Sequence, residues 1–469
     1  MNAAQQQLVD QVRARFGSRA AVTDAADIAP WLTDWRGRWT GASAALLQPG
    51  STEEVAAIVE LAAELGVALV PQGGNTSMVG GATPPADGSA LLVSLRRMKR
   101  VREVGAGFAV ADAGVILADL HAAAAATGQR FPLTLGAKGS ATIGGLVSTN
   151  AGGTQVLRFG TMRGLVAGIE AVLPDGRIHD GLAGLKKDNR GPSVDQLLIG
   201  AEGTLGIVTA VRLKLVPALY ARAVAWLGLA SPADALAVLR ALEARTPHIE
   251  GFEILPDESL QAALDHIPGT RAPLTGRHAW HALVEATAAD AADEPPQTLL
   301  ERLLGPLLGG LVEDAAISTS DAQAEAFWKI RDSLSEAERV AFGPATQHDI
   351  SVAVDRMPAF LAEAKAAVEA AFPGTMASGF GHLGDGNIHF HVRAGTRASP
   401  DWIDREGPAV TRLVDDLVTA AGGSISAEHG IGQMKRDEFA RLCRDRVAAV
   451  KAIKAAFDPK GLFNPGKLV

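Results

Sequence analysis

Glycine is concentrated in two segments of the first half of the chain, and these segments restrict the folds that the chain can adopt. The first is Pro71-Gln72-Gly73-Gly74-Asn75-Thr76, which follows the short apolar run Val67 to Val70. The second has glycines at positions 136, 139, 144, 145, 152 and 153. Because glycine has no Cβ, its backbone can approach a ligand closely, and successive N–H groups can point at phosphate oxygens. Either segment alone could be a tight turn, but the pair predicts a nucleotide cradle.

The usual nucleotide fingerprints are missing from the sequence. No GxxxxGK[ST] motif is present, and the one GxGxxG match, Gly379 to Gly384, runs into Asp385-Gly386 instead of opening a helix. This segment is therefore not interpreted as an NAD fingerprint. A dinucleotide would need another fold.

Hydrophobic periodicity around the loops predicts an α+β fold. Residues 51–66 begin with a capping-box pattern, Ser51 followed by Glu54, and continue with apolar residues at helical spacing. A second helix is predicted from about residue 116 to 127, ended by Gly128. Residues 168–179 are typical of two strands joined by a turn, and residues 206–216 alternate as a strand does.

The composition of the sequence changes near Ala218. Beyond this residue glycine is sparser, and patterns typical of strands alternate with patterns typical of helices. At roughly 150 residues per domain, 469 residues allow two or three domains. We expect a first domain over residues 1–217, a second over residues 218–407 and a C-terminal helical segment over residues 408–469.

Composition excludes several classes of protein. The formal net charge is −8, from 44 Lys and Arg against 52 Asp and Glu, and the basic residues are dispersed, which argues against nucleic acid as a partner. The single cysteine, Cys443, provides no ligand set for an iron–sulfur cluster. No stretch approaches the ~20 apolar residues that cross a bilayer, so no transmembrane segment and a cytoplasmic location are expected.

Histidine and carboxylate side chains in the last hundred residues suggest a metal site. His382, His389 and His391 lie within ten positions, and Glu428 and His429 follow in a second polar segment. Two imidazoles and one carboxylate leave a coordination position open, as in catalytic zinc sites. The alternative is a set of hydrogen-bonded loop histidines beside a solvated glutamate.

Arg331 is predicted to lie on a helix, with Ser335 one turn later on the same face. A guanidinium there could hold a carboxylate through two parallel hydrogen bonds. The alternative is a surface arginine paired with Asp332 or Glu336.

The motifs PQGGNT, GAKGSATIGG, STNAGG, GAEGTLGIV, GHLGDGNIH, SAEHGIG and FNPGKL occur in one order from about residue 30 to the C-terminus. This order resembles the FAD-linked 2-hydroxyacid dehydrogenases of the vanillyl-alcohol oxidase superfamily. The resemblance implies an FAD-binding domain of two small subdomains, completed by the C-terminal segment, and an α+β cap domain between them. It implies FAD contacts by Pro71, Gly73, Gly74, Asn75, Thr76, Gly80, Gly81, Gly136, Ser140, Gly144, Gly145, Asn150, Gly152, Gly153, Glu202, Ile207 and Asn464.

On the substrate side, the resemblance implies that His382, His389 and Glu428 bind Zn²⁺ or Mn²⁺ and that His429 is the base. The branch that oxidises D-2-hydroxyglutarate holds the distal carboxylate with an arginine and a hydroxyl residue, which correspond to Arg331 and Ser335. Gln347 occupies the position at which that branch has a lysine. His391 occupies the position at which that branch has an asparagine that contacts the substrate. These departures make D-lactate, glycolate or D-malate rival substrates to D-2-hydroxyglutarate.

Two alternative hypotheses concern the role of the whole chain. It could be an FAD-bearing subunit of a larger electron-transfer complex, or a non-catalytic nucleotide-binding protein, although the second leaves the histidines unexplained. Without iron–sulfur ligands, the electrons need an external acceptor, either an electron-transfer flavoprotein or a quinone. The sequence is compatible with a homodimer and does not determine the oligomeric state.

Overall fold

The chain folds into two units in the computed structural model, which describes residues 1–395, 399 and 401–469. The first unit consists of Met1–Gly153, Gly160–Ala218 and Glu428–Val469. The second consists of Thr154–Phe159 and Leu219–Ala427. The division after Ala218 lies beside the boundary expected at residue 217.

The second unit ends twenty residues later than the expected boundary at 407, after Ala427. The difference comes from the helix Gly407–Ala420, which was expected in the C-terminal segment. Its Val410, Val414 and Val418 are buried in the hydrophobic core of the second unit. Burial of this apolar stripe assigns the helix to that unit.

The first unit contains a mixed sheet and an antiparallel sheet. The mixed sheet has, in spatial order, the strands Ala21–Val22, Leu46–Leu47, Ala90–Ser94 and Ala68–Gln72, of which the first pair is antiparallel and the others are parallel. The antiparallel sheet has the order Val101–Gly105, Phe108–Asp112, Ile207–Lys214, Val166–Val172 and Ile178–Asp180. Gln129–Arg130 and Val216–Pro217 form a separate antiparallel pair.

The chain returns to the mixed sheet near its C-terminus. The amide of Leu69 donates to the Leu462 carbonyl, and the amide of Asn464 donates to the Leu69 carbonyl, both at 2.8 Å. Residues 462–464 therefore extend the backbone hydrogen bonding of the sheet on the strand that precedes the first glycine loop.

The predicted helix at residues 51–66 is confirmed. The helices of the first unit are Ala3–Phe16, Ala25–Ile28, Thr52–Leu65, Leu117–Ala125, Ile143–Thr149, Met162–Leu165, Val194–Leu198, Arg436–Leu442 and Arg444–Phe457. The Ser51 side chain accepts a hydrogen bond from the Glu54 amide at 3.2 Å, and Gly66 ends the helix in the left-handed region. Such an N-cap contributes about 1 kcal/mol to helix stability.

The other predicted elements of the first half are also present, as the helix Leu117–Ala125, the hairpin Val166–Val172 with Ile178–Asp180, and the strand Ile207–Lys214. Several further elements were not predicted, among them one inside a segment that the sequence analysis singled out. The helix Ile143–Thr149 lies inside the second glycine-rich segment, where Gly144 and Gly145 obscure the helical periodicity.

The second unit is built on an antiparallel sheet of seven strands. Their spatial order is Asp314–Ile317, Ala221–Leu229, Trp280–Ala288, Ile249–Pro256, Met376–His382, Asn387–Arg393 and Ala345–Ser351. The helices of this unit are Val156–Phe159, Pro232–Glu243, Asp257–His266, Pro296–Leu304, Asp321–Asp332, Leu334–Phe342, Met357–Ala371, Trp402–Arg405 and Gly407–Ala420.

Alternate residues of this sheet enter two separate hydrophobic cores, because successive side chains of a strand point to opposite faces. Leu227, Phe252 and Ile254 belong to one core, with helices that include Pro232–Glu243 and Met357–Ala371. Trp226, Leu255 and Phe380 belong to the other, with Asp257–His266, Asp321–Asp332 and Leu334–Phe342. Full burial of each such side chain is worth about 1.5–3 kcal/mol.

Within the described part of the chain, no helix combines the length and the apolar character that crossing a membrane requires.

Candidate active site

The two predicted glycine loops touch each other in the first unit. A Cβ on Gly73 would lie 2.1 Å from the Thr142 hydroxyl oxygen, and a Cβ on Gly74 would lie 2.1 Å from the Ser140 carbonyl oxygen. These distances are too short for any side chain. The approach of the Thr142 side chain to Gly73 and of the Ser140 backbone to Gly74 therefore requires glycine at both positions.

The loops line a cavity of about 710 Å³ within the first unit. Its volume lies within the roughly 300–1,000 Å³ range of ligand pockets. The predicted FAD residues that line it are Pro71, Gly73, Gly74, Asn75, Thr76, Gly81, Gly136, Ser140, Gly144, Gly145, Gly152, Glu202 and Ile207. Glu428 and His429 line the same cavity. The cavity therefore combines glycine backbone with a candidate base, and a redox cofactor and its substrate require both.

A polar atom in the cavity wall supports this interpretation. The Thr142 hydroxyl is buried and has no hydrogen-bond partner among the described residues. Because a buried polar group without a partner is destabilising, the site is suited to a ligand that supplies one. The cradle and this hydroxyl fit a bound dinucleotide.

Four predicted FAD residues do not line the cavity. Asn464 donates to the carbonyl oxygens of Gly81, at 3.0 Å, and Glu202, at 2.6 Å. The Asn150 side chain accepts from the Arg163 amide at 2.9 Å. A Cβ on Gly80 would lie 2.8 Å from the Gln433 side chain, and one on Gly153 would lie 2.2 Å from the Thr134 carbonyl oxygen. In this structure these four residues contact neighbouring parts of the chain instead of the cavity, and their contact with FAD stays a prediction.

Backbone strain is concentrated at the predicted cofactor residues. Asn75, Asn150, Glu202 and Asn464 have φ of 56°, 51°, 51° and 43°. Leu468 is the remaining non-glycine residue with positive φ among the described positions. Because positive φ is unfavourable for side chains with a Cβ and is often found at functional sites, the values at Asn75 and Glu202, which line the cavity, mark it independently of its glycines.

Glu202 connects this cavity to the segment that carries His429. Its carboxylate accepts hydrogen bonds from the Ile431 and Gly432 amides, each at 2.7 Å. A Cβ on Gly430, which has a φ of 80°, would lie 2.8 Å from the same carboxylate. Glycine at 430 thus lets the chain turn beside Glu202 directly after His429.

Two buried charges lie in this region. Burial raises the pKa of Glu202, although the amides of Ile431 and Gly432 act in the opposite direction. Burial and the nearby Arg436 charge lower the pKa of Lys467 to about 8, while the Glu202 charge opposes this shift. Lys467 is therefore an amine held at a pKa far below its ordinary value.

His382 and His389 lie on a hairpin of the second unit. The strands Met376–His382 and Asn387–Arg393 pair so that Phe380 is opposite His389 and His382 is opposite Asn387. Both histidines therefore share one face, and their ring centroids are 5.6 Å apart. The chain turns between these strands at residues 383–386, which include Gly384 and Gly386, and Gly379–Gly384 opens no helix, as the sequence indicated. Asp349 is opposite His389 in this sheet, and its carbonyl oxygen accepts a hydrogen bond from the Ala427 amide. Glu428 is the next residue after Ala427.

Glu253 supports this histidine pair from the adjacent strand. Its side chain is 1% exposed, and its carboxylate lies 2.6 Å from His382 Nδ1 and 2.8 Å from Arg331 Nε. Burial opposes its ionisation, but the Arg331 and His382 charges outweigh burial and lower the pKa of Glu253 to about 2. A carboxylate on the second nitrogen of an imidazole fixes the ring and raises its basicity, as behind many metal-binding histidines.

The structure differs from the predicted Arg331 and Ser335 pair. The helix Asp321–Asp332 ends at Ser333, and Ser335 lies on the next helix, Leu334–Phe342, where it is exposed. The assumption of one continuous helix was wrong. Arg331 pairs with the buried Glu253, so one edge of the guanidinium is already engaged.

His391 and Gln347 are directly opposite each other on neighbouring strands, on the face that carries His389. His391 is buried, with its Nδ1 2.7 Å from the Glu338 carboxylate. Their contact with a substrate stays a prediction.

Sequence reasoning missed several residues of the candidate site. These are Thr142 in the cavity wall and the buried carboxylates Glu253, Glu338 and Asp349. Glu253 carries a signal that could have been used, because it is one of two acidic residues, with Glu250, in the otherwise apolar and buried strand Ile249–Pro256. Glu338 and Asp349 carry no such signal, because each lies among other polar residues in the sequence.

Comparison with known proteins identifies the family. Residues 43–181 match the family model described as FAD binding domain, and residues 219–468 match that of FAD linked oxidases, C-terminal domain. The chain is 36% identical over 454 residues to D-2-hydroxyglutarate dehydrogenase of Xanthomonas citri pv. viticola, covering 95% of this chain and 93% of that protein. It is 32% identical over 462 residues to a putative mitochondrial D-lactate dehydrogenase of Schizosaccharomyces pombe, covering 95% and 86%.

A solved structure shares the fold. The 4-ethylphenol oxidase of Gulosibacter chungangensis, in its isoeugenol complex, matches with a TM-score of 0.71 at 19% identity, covering 100% of this chain and 98% of that one. The predicted α+β fold of the vanillyl-alcohol oxidase type is confirmed. The chain belongs to the FAD-linked oxidases and is an FAD-dependent oxidoreductase.

Proposed function

We propose that this enzyme oxidises a D-2-hydroxyacid to the 2-oxoacid, with D-2-hydroxyglutarate as the favoured substrate. The observation that carries the proposal is the position of His429 in the wall of the cavity lined by both glycine loops. A base beside a flavin cradle is suited to removing a proton from an alcohol while the flavin is reduced. The names of the relatives from Xanthomonas citri and Schizosaccharomyces pombe support the 2-hydroxyacid class.

FAD would be held by the predicted residues of the two glycine loops together with Glu202, Ile207 and Asn464. A divalent cation would be held by His382, His389 and Glu428. Two imidazoles and one carboxylate suit Zn²⁺, and Mn²⁺ is the second candidate. The shared face of His382 and His389 and the carboxylate of Glu253 behind His382 support this assignment.

When bound, FAD supplies a two-electron acceptor and the cation supplies a Lewis acid. His429 removes the proton of the α-hydroxyl group, which makes the α-carbon a better hydride donor. His382 and His389 would hold the cation at the α-hydroxyacid end of the substrate. Glu202 holds the backbone after His429 and so limits the movement of this base.

Arg331 is the residue proposed to bind the distal carboxylate of the substrate. Its Nε and one terminal nitrogen face Glu253 and His382. Gln347 can donate a hydrogen bond to the same carboxylate but carries no charge. Ser335, being exposed on a separate helix, has weaker support than Arg331. Because a neutral donor holds a carboxylate less strongly than a charged one, D-lactate remains the second candidate substrate.

The electrons would leave to an external acceptor, either an electron-transfer flavoprotein or a quinone, because the one cysteine of the chain provides no iron–sulfur site. The cytoplasmic location and the homodimer stay predictions.

Anaerobic mixing of the purified flavoprotein with single substrates tests the proposal. D-2-hydroxyglutarate, D-lactate, D-malate and glycolate are compared by the rate at which they bleach the oxidised flavin band, with L-2-hydroxyglutarate as the stereochemical control. Fast bleaching by D-2-hydroxyglutarate is the expected result. Bleaching by D-lactate alone would favour the second candidate, and no bleaching by any of the five would refute the proposed activity.

A further inference from the structure

A row of polar side chains runs along one face of the sheet in the second unit. His389 is opposite Asp349 and Phe380, and His391, two residues further along, is opposite Gln347 and Ser378. Two residues of a strand span about 6.6 Å. His391 and Gln347 therefore lie one step along the sheet from the proposed metal ligand His389.

Glu338 holds His391 from the helix Leu334–Phe342. Glu338 is 3% exposed, and its carboxylate lies 2.7 Å from His391 Nδ1 and 2.9 Å from an Arg393 terminal nitrogen. The Ser259 hydroxyl donates to the same carboxylate. Because an ionised carboxylate only accepts hydrogen bonds, Nδ1 of His391 carries the hydrogen, and Nε2 is the ring nitrogen that can meet a ligand.

Neighbouring groups fix this arrangement. The Phe380 ring packs edge-on against His391 with centroids 5.3 Å apart. Arg393 lies over the Phe342 ring at 4.0 Å and donates to the Ser378 hydroxyl at 2.7 Å. A buried side chain with this many partners has little freedom to rotate.

The spacing of the row matches the length of a substrate tail. Three bonds of an extended chain span about 3.8 Å, and a hydrogen bond from the end of the chain adds about 2.8 Å, which together equal the step of about 6.6 Å along the strand. A five-carbon 2-hydroxyacid held by its first two carbons near His389 therefore reaches the next pair in the row. We propose that Glu338 is a positioning residue that fixes His391 as a contact for the end of this tail. The pair selects a tail with a hydrogen-bonding end over an apolar tail of equal length. This inference rests on the proposed function, since it concerns the same site.

The test compares two five-carbon substrates, D-2-hydroxyglutarate and D-2-hydroxypentanoate, in the FAD-loaded enzyme. The measured quantity is the ratio of their kcat/KM values. Glu338→Gln allows the side-chain amide to donate to Nδ1 and so to turn the ring or change its tautomer, and we expect the ratio to fall about tenfold or more. Ser259→Ala is the matched control, because it removes another partner of Glu338 without touching His391, and its ratio should stay within about twofold of the wild-type ratio.

Variants of His391 separate positioning from general damage. The double variant Glu338→Gln with His391→Asn should show the same ratio as His391→Asn alone, since Glu338 acts through His391. If Glu338→Gln does not fold, His391→Leu replaces it and should lower the ratio about tenfold or more.

A wild-type ratio in Glu338→Gln, or an equal fall for both substrates, would overturn the inference and leave the proposed function intact. Failure of the wild-type flavin to bleach with any 2-hydroxyacid would overturn both.

Discussion

A carboxylate oxygen of Glu202 accepts a hydrogen bond from the backbone amide of Ile431 at 2.7 Å, across 229 positions of sequence. The second oxygen accepts from the Gly432 amide. The carboxylate places an acceptor oxygen at each of the two backbone donors, whereas an amide side chain in the same position would place an oxygen at one donor and an NH₂ group at the other. The position of the His429 segment in the first unit therefore depends on a carboxyl group that is distant in sequence.

Glu202→Gln should destabilise the FAD-loaded enzyme by about 1–3 kcal/mol, because one buried backbone donor then faces an N–H group. Urea unfolding followed by flavin fluorescence measures the change. Glu103→Gln, at an exposed position on a strand of the same unit, is the control. Equal stability of the two variants would show that the Glu202 hydrogen bonds contribute nothing.

Glu253→Gln should destabilise the protein by about 3–5 kcal/mol, since it leaves the Arg331 charge without its buried partner. Zinc affinity should also fall about 10- to 100-fold, because His382 loses the carboxylate that orients it. Chemical unfolding and metal titration measure the two effects. Glu363→Gln, at an exposed position, should change neither the stability nor the zinc affinity. Unchanged zinc affinity in Glu253→Gln would show that Glu253 does not support a metal site.

His429→Ala should retain the yellow flavin while its bleaching by the substrate slows about 10²- to 10⁴-fold, the usual contribution of a general base. Stopped-flow absorbance under anaerobic conditions gives the rate. His266→Ala, at an exposed position, should react at the wild-type rate. Full turnover by His429→Ala would assign proton removal to another group.

Metal removal should abolish substrate oxidation without releasing FAD, because the proposed cation ligands and the flavin cradle consist of different residues. Dialysis against a chelator, followed by addition of Zn²⁺ or Mn²⁺, tests this, and elemental analysis counts the bound metal. His389→Ala should contain less metal and should not recover on addition. Activity that is indifferent to the chelator would remove the cation from the mechanism.

Lys467 makes stability depend on pH above neutrality. Its pKa in the folded protein is about 8 against an ordinary 10.5, so between these values the unfolded chain binds more protons than the folded one. Stability from this residue therefore rises with pH in that window, by at most about 1.4 kcal/mol per pH unit, and below pH 8 the unfavourable burial of the charge is present in full. The stability of Lys467→Met relative to the wild type should be greater at pH 7.5 than at pH 9.5. The exposed Lys451→Met should show no such difference, and a constant gap for Lys467→Met would contradict the shift.

The sequence was informative where a local pattern dictates the structure. Ser51 and Gly66 bound a helix because an N-cap and a left-handed C-cap act within a few residues. The run of Gly379 to Gly384 into Asp385-Gly386 argued against a helix at this segment, and the structure has a hairpin there. Glu253 lies 129 positions from His382, and no local rule connects two residues at that separation.

The helix boundary at Ser333 has a local cause that the pattern did not reveal. The Ser333 hydroxyl donates to the Lys329 carbonyl at 2.6 Å, and such back-bonding by serine competes with the helix hydrogen bonds at the position where one helix ends and the next begins. Neither proline nor glycine marks the break. The sequence alone therefore favoured one continuous helix and a shared face for Arg331 and Ser335.

The hydrogen bonds of Leu69 with Leu462 and Asn464 have a consequence for biosynthesis. The strand that leads into the first glycine loop receives these partners only after nearly the whole polypeptide has been translated. The intervening 209 residues, 219–427, make up almost all of the second unit and emerge from the ribosome before this closure. Since domains generally fold as units during synthesis, the inserted unit can be ordered while the FAD cradle is still incomplete, and flavin capture becomes a late event in the maturation of the enzyme.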